Sequence, residues 1–240
     1  MFPLIVLEEV ESTSDALKLL CRNGDAHHGM TLAARVQTRG RGRHGREWFS
    51  LPGNIMLSVA LKRNSRDFHP QLSLVVGMAV CHYLRGLIAQ PDGLTVKWPN
   101  DLLWNGKKTG GILLETEGDF LIAGIGINLV HSPDVMGAEA ISLAEVLQER
   151  NLSASACYSP LRHVVMEAVG VWEKEGFAPF YETWDKCAFP QGSQVRVRQG
   201  GTVQTGLYDG IANDGALWLK HDGQRQRVDM GEVVLLEGDA

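Results

Sequence analysis

Residues 54–62, NIMLSVALK, place Ile55, Leu57, Val59 and Leu61 at every second position, the period of a strand with one face in the core. Similar patterns predict strands over 2–10 and over 31–37, TLAARVQ. Between them STSDALKLLCRNG changes to helical spacing, with a Ser/Thr cap ahead of Ala16, Leu17, Leu19 and Leu20 and a stop at Gly24. Residues 71–89 are apolar almost all round, which predicts a long helix buried against a sheet. Residues 94–128 read as a β-meander. LTVKW ends at Pro99, the Asn105-Gly106 pair between DLLW and KKTGGILLETE signals a type I′ hairpin, and FLIAGIGINL follows the turn at Glu117-Gly118-Asp119. A capping box from Ser142 to Glu145 opens a short helix over 142–149. Helical periodicity returns over 159–187, through Leu161, Val164, Val165, Ala168, Val169 and Trp172 and then Phe180, Tyr181 and Trp184.

The pattern changes at Phe189-Pro190-Gln191-Gly192. Beyond it come short alternating strands, QVRVRQ, TVQTGLYDGI, ALWLKH, QRQRVDM and VVLLE, with turns at Gly200-Gly201, Asn213-Asp214-Gly215 and Asp222-Gly223. These predict a small SH3-like β-barrel, too small for a large core of its own and so leaning on its neighbour. The expected fold class is α+β: a mixed or largely antiparallel sheet covered by helices over residues 1–188, then the barrel over 189–240. The repeated βα units of a dinucleotide-binding fold are absent, and GIGIN at 124–128 ends a strand without opening a helix.

Composition narrows the function. The chain has 240 residues, 44% of them hydrophobic and 21% charged, which is ordinary for a protein with a real core. No apolar run reaches the roughly 18–20 residues of a membrane span, and the N-terminus lacks the basic start and cleavage site of a signal peptide. The four cysteines form no CxxC pair and the eight histidines no metal-ligand spacing, so reduced thiols in a cytoplasmic protein are expected. The net charge of −5 argues against a general nucleic-acid binder but allows a local basic pocket.

Such a pocket is suggested by GRGRHGREW, residues 40–48. Arg41, Arg43 and Arg46 alternate with Gly40, Gly42 and Gly45 ahead of Trp48, and Arg39 stands just before. Glycine lets the backbone approach a ligand, arginine offers planar donors for carboxylate or phosphate, and tryptophan a face for a base. By itself the loop fits a nucleic-acid arm, a solvated loop or a clamp for a phosphorylated small molecule. In KWPNDLLWNGKKTGGILLE, residues 97–115, the hairpin folds Lys108 back beside Asn100 and Asp101, a lysine for anionic charge and an aspartate for Mg²⁺; a plain hairpin is the alternative. Ser12, Thr13 and Ser14 suit helix capping or a small polar head group. In GIGINL the strand glycines imply close packing on the backbone, and Asn128 is a candidate for a purine edge.

These blocks, with GLYDGIANDGALWL near the end, closely resemble the biotin–protein ligase family in sequence and spacing over nearly the whole chain. The type resembled is the monofunctional one, since the pattern begins by Val10 and leaves no room for an N-terminal DNA-binding domain; DNA and membrane are not expected partners. The resemblance implies a class II synthetase-like catalytic domain that uses biotin and ATP, with Mg²⁺, to form biotinyl-5′-AMP. The biotin then passes to a lysine of a biotin carboxyl carrier protein. It implies Lys108 and Arg43 as catalytic groups. Ser12, Thr13, Ser14, Gln37, Arg41, Gly42, Arg43, Lys108 and Gly110 would surround biotin, its tail running beside Gly110, Gly111 and Gly124. Arg43, Arg46, Trp48, Asn100, Asp101 and Asn128 would hold the nucleotide, with Asp101 the candidate metal ligand. His44 falls where the family varies and receives no role. Many members dimerise, which leaves a homodimer open. Four arginines within eight residues repel one another, so residues 39–48 are expected to be mobile until ligand binds. A lipoate–protein ligase is the rival enzyme, although Ser12, Thr13 and Gln37 suit a ureido ring better than a dithiolane. A nucleic-acid-binding module is the rival of another class, and a non-catalytic biotin-responsive protein is a third.

Overall fold

The computed structural model describes residues 3–63, 70–134, 139–149 and 151–236. The expected strand positions Phe2 and Glu237 lie outside them. Seven strands form the larger sheet: β1 (Leu4–Val10), β2 (Thr31–Gln37), β3 (Ile55–Lys62), β4 (Leu94–Lys97), β5 (Asp101–Trp104), β6 (Lys107–Glu117) and β7 (Phe120–Ile127). Their order is β1-β2-β3-β7-β6-β5-β4. Helix α1 (Thr13–Asn23) connects the parallel pair β1 and β2, and every other neighbouring pair is antiparallel, so the sheet is mixed. At the β5–β6 turn Asn105 and Gly106 both take positive φ, 45° and 80°, as the type I′ hairpin requires.

Side-chain alternation gives the two faces different tasks. Leu57, Val59 and Leu61 of β3 and Ala123 and Ile125 of β7 join the main apolar cluster with α2 (Gln71–Arg85) and α4 (Ala154–Glu175). Ala60 and Ile122, one residue out of phase, pack with Leu17 of α1 in a second, smaller cluster on the other face. Ten of the fifteen residues of α2 are buried, so this helix is central to the core, each large side chain contributing about 1.5–3 kcal/mol. It stops four residues short of the expected end, where the Arg85 guanidinium turns to donate to the Leu94 carbonyl at 3.0 Å. The expected helix over 159–187 is two, α4, which starts earlier at Ala154 and carries Pro160 inside, and α5 (Tyr181–Cys187). The short α3 (Leu143–Leu147) has its capping box at Ser142 and Glu145.

A second sheet, all antiparallel, contains β8 (Gln194–Gln199), β9 (Thr202–Ile211), β10 (Leu217–His221), β11 (Gln224–Val228) and β12 (Glu232–Leu235), in the order β11-β10-β9-β8-β12. Its inward residues Val195, Val197, Tyr208 and Leu219 belong to the same apolar cluster as α2 and α4. Buried polar bonds cross the same boundary: Trp184 Nε1 donates to the Tyr208 hydroxyl at 2.6 Å, and Trp98 Nε1 to the Gly215 carbonyl at 2.8 Å. Among the described residues no helix is long and apolar enough to cross a membrane.

Candidate functional site

The sheet register explains why the α1 face is hollow. Met56 of β3 pairs with Gly126 of β7, Gly126 with Gly111 of β6, and Gly111 with Asp101 of β5, which makes one row across four strands. The next row runs Ser58, Gly124, Leu113. Three glycines in two adjacent rows leave a trough where side chains would stand, and only the first turn of α1, through Thr13 and Ser14, reaches over its edge at Ser58 and Gly124. The result is a cavity of about 530 Å³. A Cβ on Gly124 would lie 2.9 Å from Ser14 Oγ, and one on Gly126 would lie 2.4 Å from the Trp48 ring, so neither position has room for a larger residue.

One end of the cavity is polar and largely uncharged. Ser12 caps α1, its hydroxyl accepting from the Asp15 N–H, which places Thr13 and Ser14 in the first turn above β2 and β3. Gln37, at the end of β2, accepts from both the Thr13 N–H (2.8 Å) and the Thr13 hydroxyl (2.9 Å). Thr13 and Ser14 also meet the Ser58 hydroxyl at 2.7 and 3.0 Å. All three hydroxyl residues are buried.

The other end is charged. The turn between β4 and β5 brings Asp101 between two lysines, Lys108 Nζ at 2.7 Å from one carboxylate oxygen and Lys97 Nζ at 2.9 Å from the other. Burial pushes the Asp101 carboxyl up, but Lys108 and Lys97 together outweigh it and hold it below the usual carboxylate range. The Lys108 backbone is fixed by the 139–141 segment, donating to Glu139 O and accepting from Ile141 N. Its ammonium also lies 5.8 Å from the Trp48 ring centroid.

The arginine loop closes the cavity. A bridge between Arg41 and Glu47 and a Trp48 N–H bond to Gly40 O give it a defined path. Its charges are answered from elsewhere. Arg39 meets Glu11, Arg41 meets Asp15 and Glu115, and Arg46 meets Glu232 of β12. The bond to Asp15 raises the Arg41 pKa, and Arg41 in turn lowers that of Asp15. Arg43 differs. It is half-buried and donates to two neutral oxygens, Asn100 Oδ1 at 3.1 Å and Gly231 O at 3.5 Å. Burial lowers its pKa, against the opposing pull of Asp101 and Glu232. Trp48 stands over Gly126 with its indole N–H buried and without a partner.

Ser12, Thr13, Ser14, Gln37, Arg41, Gly42, Arg43, Arg46, Trp48, Asn100, Asp101, Lys108 and Asn128 therefore all border one cavity, and Gly110 does not. Gly110 pairs with Ile127 and packs on Leu102, on the opposite face; the alternation of β6 gives the wall to Gly111 instead. Asn128 is buried and its amide donates to the Lys108 carbonyl at 3.3 Å, so in this state it braces β6. Each Asp101 carboxylate oxygen already has an ammonium partner, so a magnesium ion bonded directly to Asp101 would have to share it with Lys97 or Lys108. The sequence reading missed Ser58, Lys97 and Glu232. Lys97 could have been found four residues before Asp101, whereas Ser58 is hidden in an apolar strand and Glu232 in a different sheet.

The sequence pattern of the Biotin/lipoate A/B protein ligase family matches residues 6–132, and that of the Biotin protein ligase C terminal domain matches residues 192–236. A biotin–[acetyl-CoA-carboxylase] ligase of Paracoccus denitrificans is 33% identical over 213 residues, covering 84% of this chain and 88% of that one. One from Mycobacterium tuberculosis is 32% identical over 241 residues, covering 97% and 89%. Among solved structures, the biotin protein ligase of Aquifex aeolicus in complex with biotin and ATP superimposes with a TM-score of 0.87 at 28% identity, over 99% of this chain and 100% of that one. With this agreement in both segments and along nearly its full length, the chain belongs to the biotin/lipoate A/B protein ligase family, among its biotin–protein ligases.

Proposed function

We propose that the protein joins biotin to a lysine of a biotin carboxyl carrier protein at the expense of ATP. The observation that carries this reading is the polarity of the single trough. A neutral hydrogen-bonding end suits a ureido ring, a glycine floor suits an aliphatic tail, and a cationic end suits a carboxylate meeting a phosphate. In the first step a biotin carboxylate oxygen attacks the α-phosphorus of ATP. The P–O bond to the leaving group breaks, releasing pyrophosphate and biotinyl-5′-AMP. In the second the acceptor amine attacks the acyl carbon; an amide forms, the amine loses a proton, and AMP leaves.

Both reactants of the first step are anionic, so fixed positive charge is the main requirement. We assign Lys108 and Arg43 to the carboxylate and α-phosphate, Ser12, Thr13, Ser14 and Gln37 to the ureido ring, and the backbone around Gly42, with Gly111 and Gly124, to the tail. Trp48 is assigned to the adenine face, with Asn100, Asn128 and Arg46 at the nucleotide end. Magnesium is assigned to the phosphates of ATP, where it would neutralise charge; Asp101 holds Lys108 and Lys97. Residues 1–188 would carry the chemistry, and residues 189–240, as an SH3-like barrel, would support the loop through Glu232 and Gly231. The test is incubation with biotin, ATP, magnesium and a carrier domain, followed by the mass of the carrier. One biotinyl group on one lysine is expected. Equal transfer of lipoate, or no ATP-dependent transfer, would overturn the reading.

A further inference from the structure

We infer that Ser58 is a positioning residue that sets the direction of the hydrogen bonds at the ureido end of the cavity, so that this end is committed to a ligand offering N–H groups beside a carbonyl. The inference rests on the biotin reading above and deepens it.

The argument follows single protons. The Thr13 backbone N–H can only donate, so the Gln37 atom 2.8 Å away is the amide oxygen. The Thr13 hydroxyl, 2.9 Å from the same oxygen, must then spend its one proton there. Ser58 Oγ, 2.7 Å from Thr13 Oγ1, is left as the donor of that bond. Having spent its proton, Ser58 can only accept from Ser14 Oγ at 3.0 Å. With its oxygen turned toward Thr13, Gln37 points its amide nitrogen at Ser50 Oγ, 3.0 Å away, and Ser50 Oγ lies 3.5 Å from the Trp48 carbonyl. The bonds therefore run one way, Ser14 to Ser58 to Thr13 to Gln37 to Ser50 to the arginine loop.

This order fixes what a ligand meets. Ser14 and Thr13 have no proton left and present lone pairs. Gln37 keeps its second amide N–H, and Ser12, whose oxygen accepts from the Asp15 N–H, keeps its hydroxyl proton. Acceptors for two N–H groups beside donors for a carbonyl match a cyclic urea. Ser58 is fully buried in the middle of β3, surrounded in sequence by Leu57 and Val59, and it borders the cavity. A hydroxyl there is costly unless it is paired, and its pairing is what holds Ser14 as an acceptor.

The test compares Ser58→Ala, Ser58→Cys and Ser58→Thr with the wild type. Biotin affinity is measured by calorimetry without ATP, and KM for ATP by pyrophosphate exchange. Ser58→Ala should weaken biotin about tenfold, with KM for ATP and kcat within about twofold. Ser58→Cys, which keeps volume but donates weakly, should resemble alanine, while Ser58→Thr should stay near wild type. Biotin methylated on a ureido nitrogen supplies a readout that simple packing would not move. Its penalty relative to biotin should shrink in Ser58→Ala, because Ser14 is then no longer held as an acceptor and less is lost when the ligand N–H is missing. Unchanged biotin affinity in Ser58→Ala, a cysteine variant like wild type, or an undiminished methylation penalty would overturn the inference. A wild-type protein that binds no biotin would instead overturn the reading beneath it.

Discussion

Replacing Asp101 with asparagine removes the anion shared by Lys97 and Lys108 and leaves two ammonium groups beside a neutral amide. The carboxylate oxygens lie 2.7 and 2.9 Å from the ammonium groups, and the Asp101 side chain is only 14% exposed. Breaking a fully buried pair by deleting one partner costs about 3–5 kcal/mol. Here the lysines keep 21% and 41% of their exposure, so water recovers part of that, and about 1–3 kcal/mol is the expected loss. Urea unfolding at pH 7 should show a lower midpoint with an unchanged m value. The pH dependence has a definite sign. Folding lowers the Asp101 pKa from its ordinary 3.8, so the contribution is complete above that value and disappears as pH falls through the folded value. The difference between wild type and Asp101→Asn should thus be constant between about pH 5 and 8 and narrow in more acidic solution. Adenylate formation should slow as well, since Lys108 loses the contact that aims it. Equal midpoints at pH 7, or a difference that grows as the pH is lowered from 5, would refute the account of Asp101 as the holder of the two lysines.

Three further outcomes follow from the same geometry. Lys108→Ala should slow adenylate formation at least about tenfold in single-turnover assays, while Arg43→Ala should chiefly accelerate loss of the preformed adenylate; a wild-type formation rate in Lys108→Ala would remove that lysine from the chemistry. Limited proteolysis within residues 39–48 should slow when biotin and ATP are added, and an equal rate with and without them would contradict ordering of the loop by ligand. Tyr208→Phe leaves the buried Trp184 N–H without its acceptor and should lower stability by about 1–3 kcal/mol in urea unfolding, with no effect on KM for biotin.

Most of the elements were legible because their signals are local. The alternation in β3, the Asn105-Gly106 turn and the Ser142 capping box each lie within a few residues, and each appears as expected. The helix ends were less legible: the apolar run continues to Ile88, but α2 already ends at Arg85 with Gly86 as its C-cap. The site followed the same division. The grouping of Ser12, Thr13, Gln37, Arg43, Asp101 and Lys108 came from a family resemblance spread over the chain, not from any one spacing. Their partners did not. Glu115 lies 74 residues from Arg41 and Glu232 lies 186 from Arg46, and no local pattern marks either. Gly110 and Gly111 show the limit most directly. They look alike in sequence, and only the phase of β6 against β5 and β7 decides which one faces the cavity.

Those distant acids change the meaning of the arginine loop. Read as sequence, four clustered arginines repel and keep the segment open. In the fold Arg39, Arg41 and Arg46 each have a carboxylate within ion-pair distance, so most of the repulsion is cancelled before any ligand arrives. An anion entering the cavity would have to compete with Asp15 and Glu115 for Arg41, and with Glu232 for Arg46. Arg43 requires no such exchange. Its described partners are the neutral oxygens of Asn100 and Gly231, and it is half-buried, where a charge interacts more strongly than at the surface. On the proposed function, an acidic protein can thus turn Arg43 toward a carboxylate or phosphate, beside Lys108, while Arg39, Arg41 and Arg46 fasten the loop. Under the same proposal the partners divide the work: Arg41 ties the loop to α1 and β6, Arg46 is tied to β12 and reaches the nucleotide end only by sharing Glu232, and Arg43 meets the substrate without giving up an ion pair.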